Sequence, residues 1–264
     1  MLSVNSDNRD LKTVDMACDF RATHDLDGFV AIFPDRHGGV SSAPFDSLNL
    51  GFSTGDKLED VRENRQRLAD SAKVSSEQII VPGQVHAAEI LKPQLSDGGE
   101  GFLSPSVHFA GYDVVLLETP GVFVLSLTAD CPLVTLVNPQ LRQAGVAHCG
   151  WRGVASGALT ALLAEMGPAK DLLAMISPGI CGAKYPVGEE VLVAVSGLPG
   201  ADLACQDGTL DIRAILHETL INAGLPATSI WSDTRCSASD MNLFSYRRDR
   251  GTTGRSGALV GWKF

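Results

Sequence analysis

Apolar residues in this chain gather in short runs separated by polar and glycine-rich stretches, a pattern of short strands interleaved with a few helices. The first run, Phe29-Val-Ala-Ile-Phe33, reads as a strand and leads into a turn at His37-Gly-Gly39. Further strands are expected at 78–82, 113–118, 122–128, 132–137 and 143–147, then at Leu172–Ser177, Ser229–Ser232 and Gly257–Trp262. Between Asp60 and Lys73 the spacing is helical instead, with Val61, Leu68 and Ala72 recurring among charges. Other helices are predicted from Val154 to Met166, stopped by Gly167-Pro168, at Glu189–Val195, and from Ile212 to Ala223 before Gly224. Residues 1–27 are mostly polar and aperiodic and read as a flexible extension.

Several strands follow one another directly between 113 and 147, and helices and strands mix afterwards. That order predicts a mixed α+β (α/β) fold rather than a regular βαβ winding: one layered domain over 28–264, with mixed β-sheet flanked by helices. Composition fits, at 264 residues with 44% hydrophobic and 20% charged. The net charge of −10 argues against nucleic acid or an anionic membrane surface as partner. Small anions remain open, because local arginines can override the global sign. The N-terminus lacks the apolar core of a signal peptide, and no apolar run approaches the ~18 residues of a membrane span. The six cysteines are widely spread, so reduced thiols in a cytoplasmic protein are expected.

Chemistry concentrates at strand ends. Val122-Phe-Val-Leu-Ser-Leu-Thr128 runs into Asp130 and Cys131, and Gln143-Ala-Gly-Val-Ala147 runs into His148, Cys149, Gly150, Trp151 and Arg152. A thiol and an imidazole on adjacent strand ends form either a Cys/His nucleophile pair or two ligands of a soft metal. His86 ends a third such run, from Ile79 to Val85. Two histidines and one cysteine leave the fourth tetrahedral position of Zn²⁺ open, as in catalytic sites. Cys149, next to His148 on a strand, points to the opposite face. His24, His37, His108 and His217 have no evident partners.

Three further segments admit two readings each. Gly153 is expected to open a helix after the His148 strand, giving an anion-binding start or simply a tight turn. Ser177-Pro-Gly-Ile-Cys-Gly182 is a structural loop or a wall of the substrate pocket. Phe244-Ser-Tyr-Arg-Arg-Asp249 with Arg255 supplies solvated charges or planar donors for phosphate or carboxylate.

Taken in order, Phe45-Asp-Ser-Leu-Asn-Leu-Gly51, Gly55-Asp56, Asn64-Arg65, Gln84-Val-His86, Ala129-Asp-Cys131, Ala147-His148, Gly150-Trp-Arg-Gly153, Tyr185 with Val187-Gly188, and Phe244-Ser-Tyr-Arg-Arg-Asp249 resemble the YfiH proteins over about residues 28–264. That family has been described both as multicopper polyphenol oxidoreductases, or laccase-domain proteins, and as purine nucleoside enzymes. The resemblance implies a single α/β domain and a zinc on His86, Cys131 and His148. The implied activities are phosphorolysis of adenosine, inosine, guanosine and methylthioadenosine, and deamination of adenosine. Phenol oxidation and correction of a cell-wall precursor by an amidase are the alternatives. Cys149 in place of Ala, Cys236-Ser237 in place of Cys-Thr, and the loose Ser177–Cys181 loop depart from the family pattern.

On this reading Asp130 is a candidate proton carrier, and Cys131 is a metal ligand or a nucleophile activated by His148. The zinc or a donor such as Arg152 faces the base, while Arg65, Arg247, Arg248 or Arg255 holds phosphate. Phe244 and Tyr246 either stack on a purine or belong to the core. No His-x-His pair of the multicopper type is present, so copper enters only as a metal exchanged into the same trio. A non-enzymatic alternative, a structural zinc, requires a fourth protein ligand such as Cys149 or Cys181.

Overall fold

The computed structural model describes residues 11–264. The strands are β1 (Thr13–Asp15), β2 (Phe29–Pro34), β3 (Ile79–Ile80), β4 (Ile90–Leu91), β5 (Val114–Leu117), β6 (Phe123–Thr128) and β7 (Leu133–Asn138). They continue with β8 (Gln143–His148), β9 (Leu173–Ile176), β10 (Cys205–Gln206), β11 (Thr209–Leu210), β12 (Ile230–Ser232) and β13 (Ser256–Trp262). The helices are α1 (Leu58–Ala72), α2 (Trp151–Ala155), α3 (Ala158–Glu165), α4 (Glu189–Val195), α5 (Ala201–Ala204) and α6 (Ile212–Ala223).

Two mixed sheets carry the fold, one in the order β1-β2-β13-β6-β3 and the other β12-β9-β7-β8-β5-β4. Successive side chains on a strand point to opposite faces, and here both faces are apolar. Val115 and Leu117 of β5, Val146 of β8 and Met175 of β9 share a core with Ala31 of β2, Val124 of β6 and Val260 of β13. The alternate residues Val114, Leu116, Val134 and Ile176 pack on Leu162 of α3, Val191 of α4 and Leu216 of α6. On the outer side of the first sheet, Val30, Leu125 and Leu259 pack on Leu68 and Ala69 of α1. The result is helix, sheet, sheet, helix: the mixed α+β layered sandwich expected.

The buried stripe of α1 is Val61, Asn64, Arg65, Leu68 and Ala69, and its two polar members are occupied by loop backbone. Asn64 Nδ2 donates to the carbonyls of Ser47 and Asn49, at 3.1 and 2.9 Å. Arg65 donates to the carbonyls of Leu50, Gly101 and Phe102.

Four expectations change. Residues 11–27 are built into the domain: β1 pairs antiparallel with β2, and Met16, Ala17, Phe20 and Leu26 are buried. The sparse apolar residues there gave no period to detect; residues 1–10 of the expected extension lie outside the described residues. The single helix 154–166 is two, because Gly157 takes a left-handed φ of 85° between α2 and α3. Gly153 lies inside α2 rather than opening it, and a Cβ there would stand 3.0 Å from the His148 carbonyl, so its smallness serves packing. Finally, not all thiols are free. Cys181 and Cys236 form a disulfide between the Ser177–Gly182 loop and the segment after β12, closing 55 residues of sequence.

Alkylation of denatured protein without reductant is therefore expected to find four thiols, at Cys18, Cys131, Cys149 and Cys205, out of six cysteines. In the chain-entropy picture, closing this loop contributes about 4 kcal/mol. Cys181→Ala should then lower Tm by on the order of 10 °C. Six reactive thiols in the wild type would show that the pair is reduced.

Candidate metal centre

The site forms where the chain leaves the first sheet for the second. β6 ends at Thr128 and β7 begins at Leu133, so Ala129–Pro132 bridges the two sheets. Asp130 turns the bridge with φ +96°, a conformation that Asp tolerates better than most residues. Register then places the partner: Leu133 of β7 pairs with His148 at the end of β8, beside Cys131. His86 arrives on the loop between β3 and β4, also with positive φ, at +67°.

The ligand atoms of His86, Cys131 and His148 lie within 4.8 Å of one another, and Cys131 Sγ is 3.9 Å from His86 Nε2. The two imidazole rings are 4.8 Å apart. His148 is buried and His86 exposed, so the trio faces solvent on one side. Burial opposes a charged Cys131, yet the His148 and His86 imidazoles hold its thiol down to about 6. Burial likewise opposes a charged His148, but Cys131 and Asp113 hold it up to about 9. The pair therefore favours thiolate and imidazolium; the thiolate is the form that ligates a metal, and His148 would give up its Nε2 proton to a bound ion. Gly150 leaves the room: a Cβ there would lie 2.5 Å from His86 Cδ2 and 3.0 Å from Cys131 Sγ. The donor set suits a soft or borderline metal, and a tetrahedral ion held by these three atoms keeps a fourth position free.

The model of the family described as multi-copper polyphenol oxidoreductase laccase matches residues 30–263. The purine nucleoside phosphorylase YlmD of Geobacillus stearothermophilus is 34% identical over 247 residues, covering 89% of this chain and 90% of that protein. The purine nucleoside phosphorylase YfiH of Escherichia coli K12 is 33% identical over 240 residues, covering 88% and 93%. The chain belongs to the YfiH family. Its fold is also that of solved members: a YfiH of Bacillus licheniformis superposes with TM-score 0.86 at 29% identity, over 90% of this chain and 94% of that one. YlmD of G. stearothermophilus gives 0.82 at 34% identity, over 90% and 93%.

Within this YfiH fold the remaining candidates separate into two groups. Arg247 stacks its guanidinium 4.7 Å from the Tyr185 ring and uses only Nη1, on the Pro186 carbonyl. Arg255 lies 5.5 Å from the exposed Tyr246 ring with Nη1 on the carbonyls of Thr253 and Gly254, and Arg152 lies 4.3 Å from Trp151. Burial lowers Arg255, while Asp130 and Cys131 are close enough to act on it in the opposite sense. Tyr185 is pushed up to about 12, by burial and then by the Cys131 thiolate, so its hydroxyl stays protonated.

Arg65 and Arg248 do not join them. Arg65 is 1% exposed, sandwiched against Phe52 at 4.2 Å, with its donors on carbonyls. Arg248 grips Asp249 through Nε and Nη2 and spends its other donors on the carbonyls of Ser237, Asp240 and Leu243. Both brace loops, and neither has a fork left for phosphate. Phe244 is core, covered by Arg36 at 4.5 Å.

Asp130 Oδ1 accepts the Ser237 hydroxyl and Oδ2 the Arg247 amide, both at 2.6 Å, and its carbonyl accepts the Ile180 amide. With both oxygens engaged it ties Arg247 and the Ser177–Gly182 loop to the segment that carries Cys131. Neither proposed fourth ligand is in place: Cys149 is buried behind the strand with its thiol pushed up, and Cys181 is in the disulfide. His37 pairs with Asn242, and His217 with Glu218.

The residue missed at the sequence level is Asp113, 1% exposed, whose Oδ1 accepts from His148 Nδ1 at 2.8 Å. Burial raises it, but the His148 ring and the amides of Ala87 and Val85 hold its carboxyl below the usual range. The available signal was an acidic residue beginning an otherwise apolar strand run.

Gly150→Ala is expected to leave the fold intact and to reduce metal bound at a fixed metal concentration by roughly tenfold or more. Metal analysis after dialysis measures this, and full occupancy in the variant would contradict the packing argument.

Proposed function

We propose that the protein is a zinc-dependent purine nucleoside phosphorylase, acting on adenosine, inosine, guanosine and methylthioadenosine. The reading is carried by a three-ligand group open on one side, with Arg255 close enough to Cys131 to feel its charge, and with Arg247 and Arg152 gathered near Tyr185, which also feels Cys131. Arg247 and Arg255, together with Arg152, can take an anion although the chain is acidic overall. Relatives named as purine nucleoside phosphorylases, at about a third identity along nearly the whole chain, support the substrate class.

Zinc on His86, Cys131 and His148 would supply a Lewis-acidic charge beside the reacting groups. The chain's own groups do the rest. Arg247 and Arg255 bind phosphate and orient one of its oxygens toward C1′ of the ribose. As that C–O bond forms, the bond from C1′ to the purine nitrogen breaks and its electron pair passes to the base. Arg152 stabilises the negative charge arriving there, and water delivers the proton the base takes up. Tyr185, protonated throughout, backs Arg247 with its ring. Tyr246, with its exposed ring, offers a face for the purine.

Deamination of adenosine at the same site is a second reading, favoured by the open ligand position and not requiring phosphate. Phenol oxidation is weaker. Oxidation of the multicopper type needs several copper ions, whereas the described residues contain one group of three or more His, Cys, Asp or Glu able to hold a metal.

Protein of measured zinc content should release free base from adenosine or inosine only when phosphate is present. Cys131→Ala should lower kcat/KM by on the order of a hundredfold or more through loss of metal. Arg247→Met should raise KM for phosphate by roughly tenfold with less effect on KM for the nucleoside. Ammonia released without phosphate would establish deamination instead, and no turnover of either nucleoside would overturn the purine reading.

A further inference from the structure

Two of the three metal-ligand segments meet on one carboxylate. Asp113 directly precedes β5 and is buried between the β3–β4 loop and the end of β8. Its Oδ1 accepts from His148 Nδ1 at 2.8 Å, and its carbonyl accepts the His148 amide at 2.8 Å. Its Oδ2 accepts two amides, those of Val85 and Ala87, each at 2.8 Å.

These contacts do two different things. A ring that donates Nδ1–H presents the lone pair of Nε2, so the carboxylate selects the tautomer able to bind a metal through Nε2. The other oxygen acts on a backbone. His86 holds a left-handed φ of +67°, which is unfavourable for a residue with a side chain. The amides before and after it converge on a single anionic oxygen, the concave arrangement that backbone N–H groups use to hold anions. Here the anion is part of the protein, and the imidazole between the two amides points where the loop conformation sends it.

We propose that Asp113 is the positioning residue that assembles the metal centre, one oxygen fixing the tautomer and direction of His148 and the other holding the His86 loop. The two imidazoles are thus set as a unit, although 62 positions separate them in sequence (148 − 86). The proposal rests on reading His86, Cys131 and His148 as ligands and does not depend on the substrate.

Asn at this position keeps the shape and loses the function. If its oxygen faces His148, its NH₂ meets two N–H donors. If it is turned over, its NH₂ donates to Nδ1 and forces the proton of the neutral ring onto Nε2, where it blocks the metal. Either orientation sacrifices one arm.

Zinc and cobalt alone serve as probes, in competition with a chelator. Asp113→Asn should bind zinc roughly ten- to a hundredfold more weakly, with a changed visible spectrum of the cobalt-loaded form at saturation. Long-range ¹H–¹⁵N spectra of the zinc-loaded wild type should show His148 protonated at Nδ1 and ligated through Nε2. Unchanged zinc affinity in folded Asp113→Asn would overturn the proposal. So would His148 ligated through Nδ1 in the wild type, a result that needs no variant to fold. Because no readout uses a nucleoside, tight zinc binding without phosphorolysis would overturn the functional reading and leave this one standing.

Discussion

Between Thr128 and Leu133 the chain abandons one sheet and enters the other, and the chemistry of the molecule hangs on how that passage is held. Backbone leaving a sheet gives up its ladder partners and must find others. The Thr128 hydroxyl donates to the Cys131 carbonyl, the Asp130 carbonyl accepts the Ile180 amide, and the Asp130 carboxylate gathers Ser237 and Arg247. A bridge of four residues is thereby fixed by the loop after β9, the segment after β12 and the stretch before β13. The direction of the Cys131 thiol follows from it. Because β8 lies in register beside β7, the place of the His148 ring follows as well.

Electrostatics then divides the neighbourhood. Inward lie the thiolate, His148 and Asp113, alternating in sign and satisfying one another at short range. Outward lie arginines resting on aromatic rings, Arg247 on Tyr185, Arg255 on Tyr246 and Arg152 on Trp151. Stacking on a ring holds a guanidinium in place, and Arg247 and Arg255 each spend only Nη1 on backbone carbonyls, so Nε and Nη2 remain for an anion. An acidic chain thus presents a cationic rim at one position. The buried pair Arg65 and Arg248 shows the contrast: the same side chain, turned inward onto carbonyls, becomes a brace.

Much of this was legible in the sequence. The apolar runs from 113 to 147 and the helices at 189–195 and 212–223 declared themselves by length and period, and the His86, Cys131 and His148 group, which could hold a metal, by its place at run ends. What escaped had physical reasons. Asn64 and Arg65 look like solvent-facing members of an amphipathic helix, since nothing local tells that loop carbonyls will cover them. Arg65 and Arg248 have the composition of a phosphate site, and only their partners reveal otherwise. The pairing of Cys181 with Cys236 is a contact across 55 residues that spacing alone does not encode. Asp207-Gly208, both with positive φ, make the tight turn of the small β10–β11 hairpin, a local signal readable from the dipeptide and passed over. Asp113 and Asp130 act through neighbours distant in sequence, so their roles appear only after folding.

The unequal exposure of the two imidazoles has a kinetic consequence. His148 is buried while His86 stands at the surface, so an ion held by the trio would exchange with solvent past His86. A ligand covering that opening would slow exchange of the ion without strengthening any bond to it.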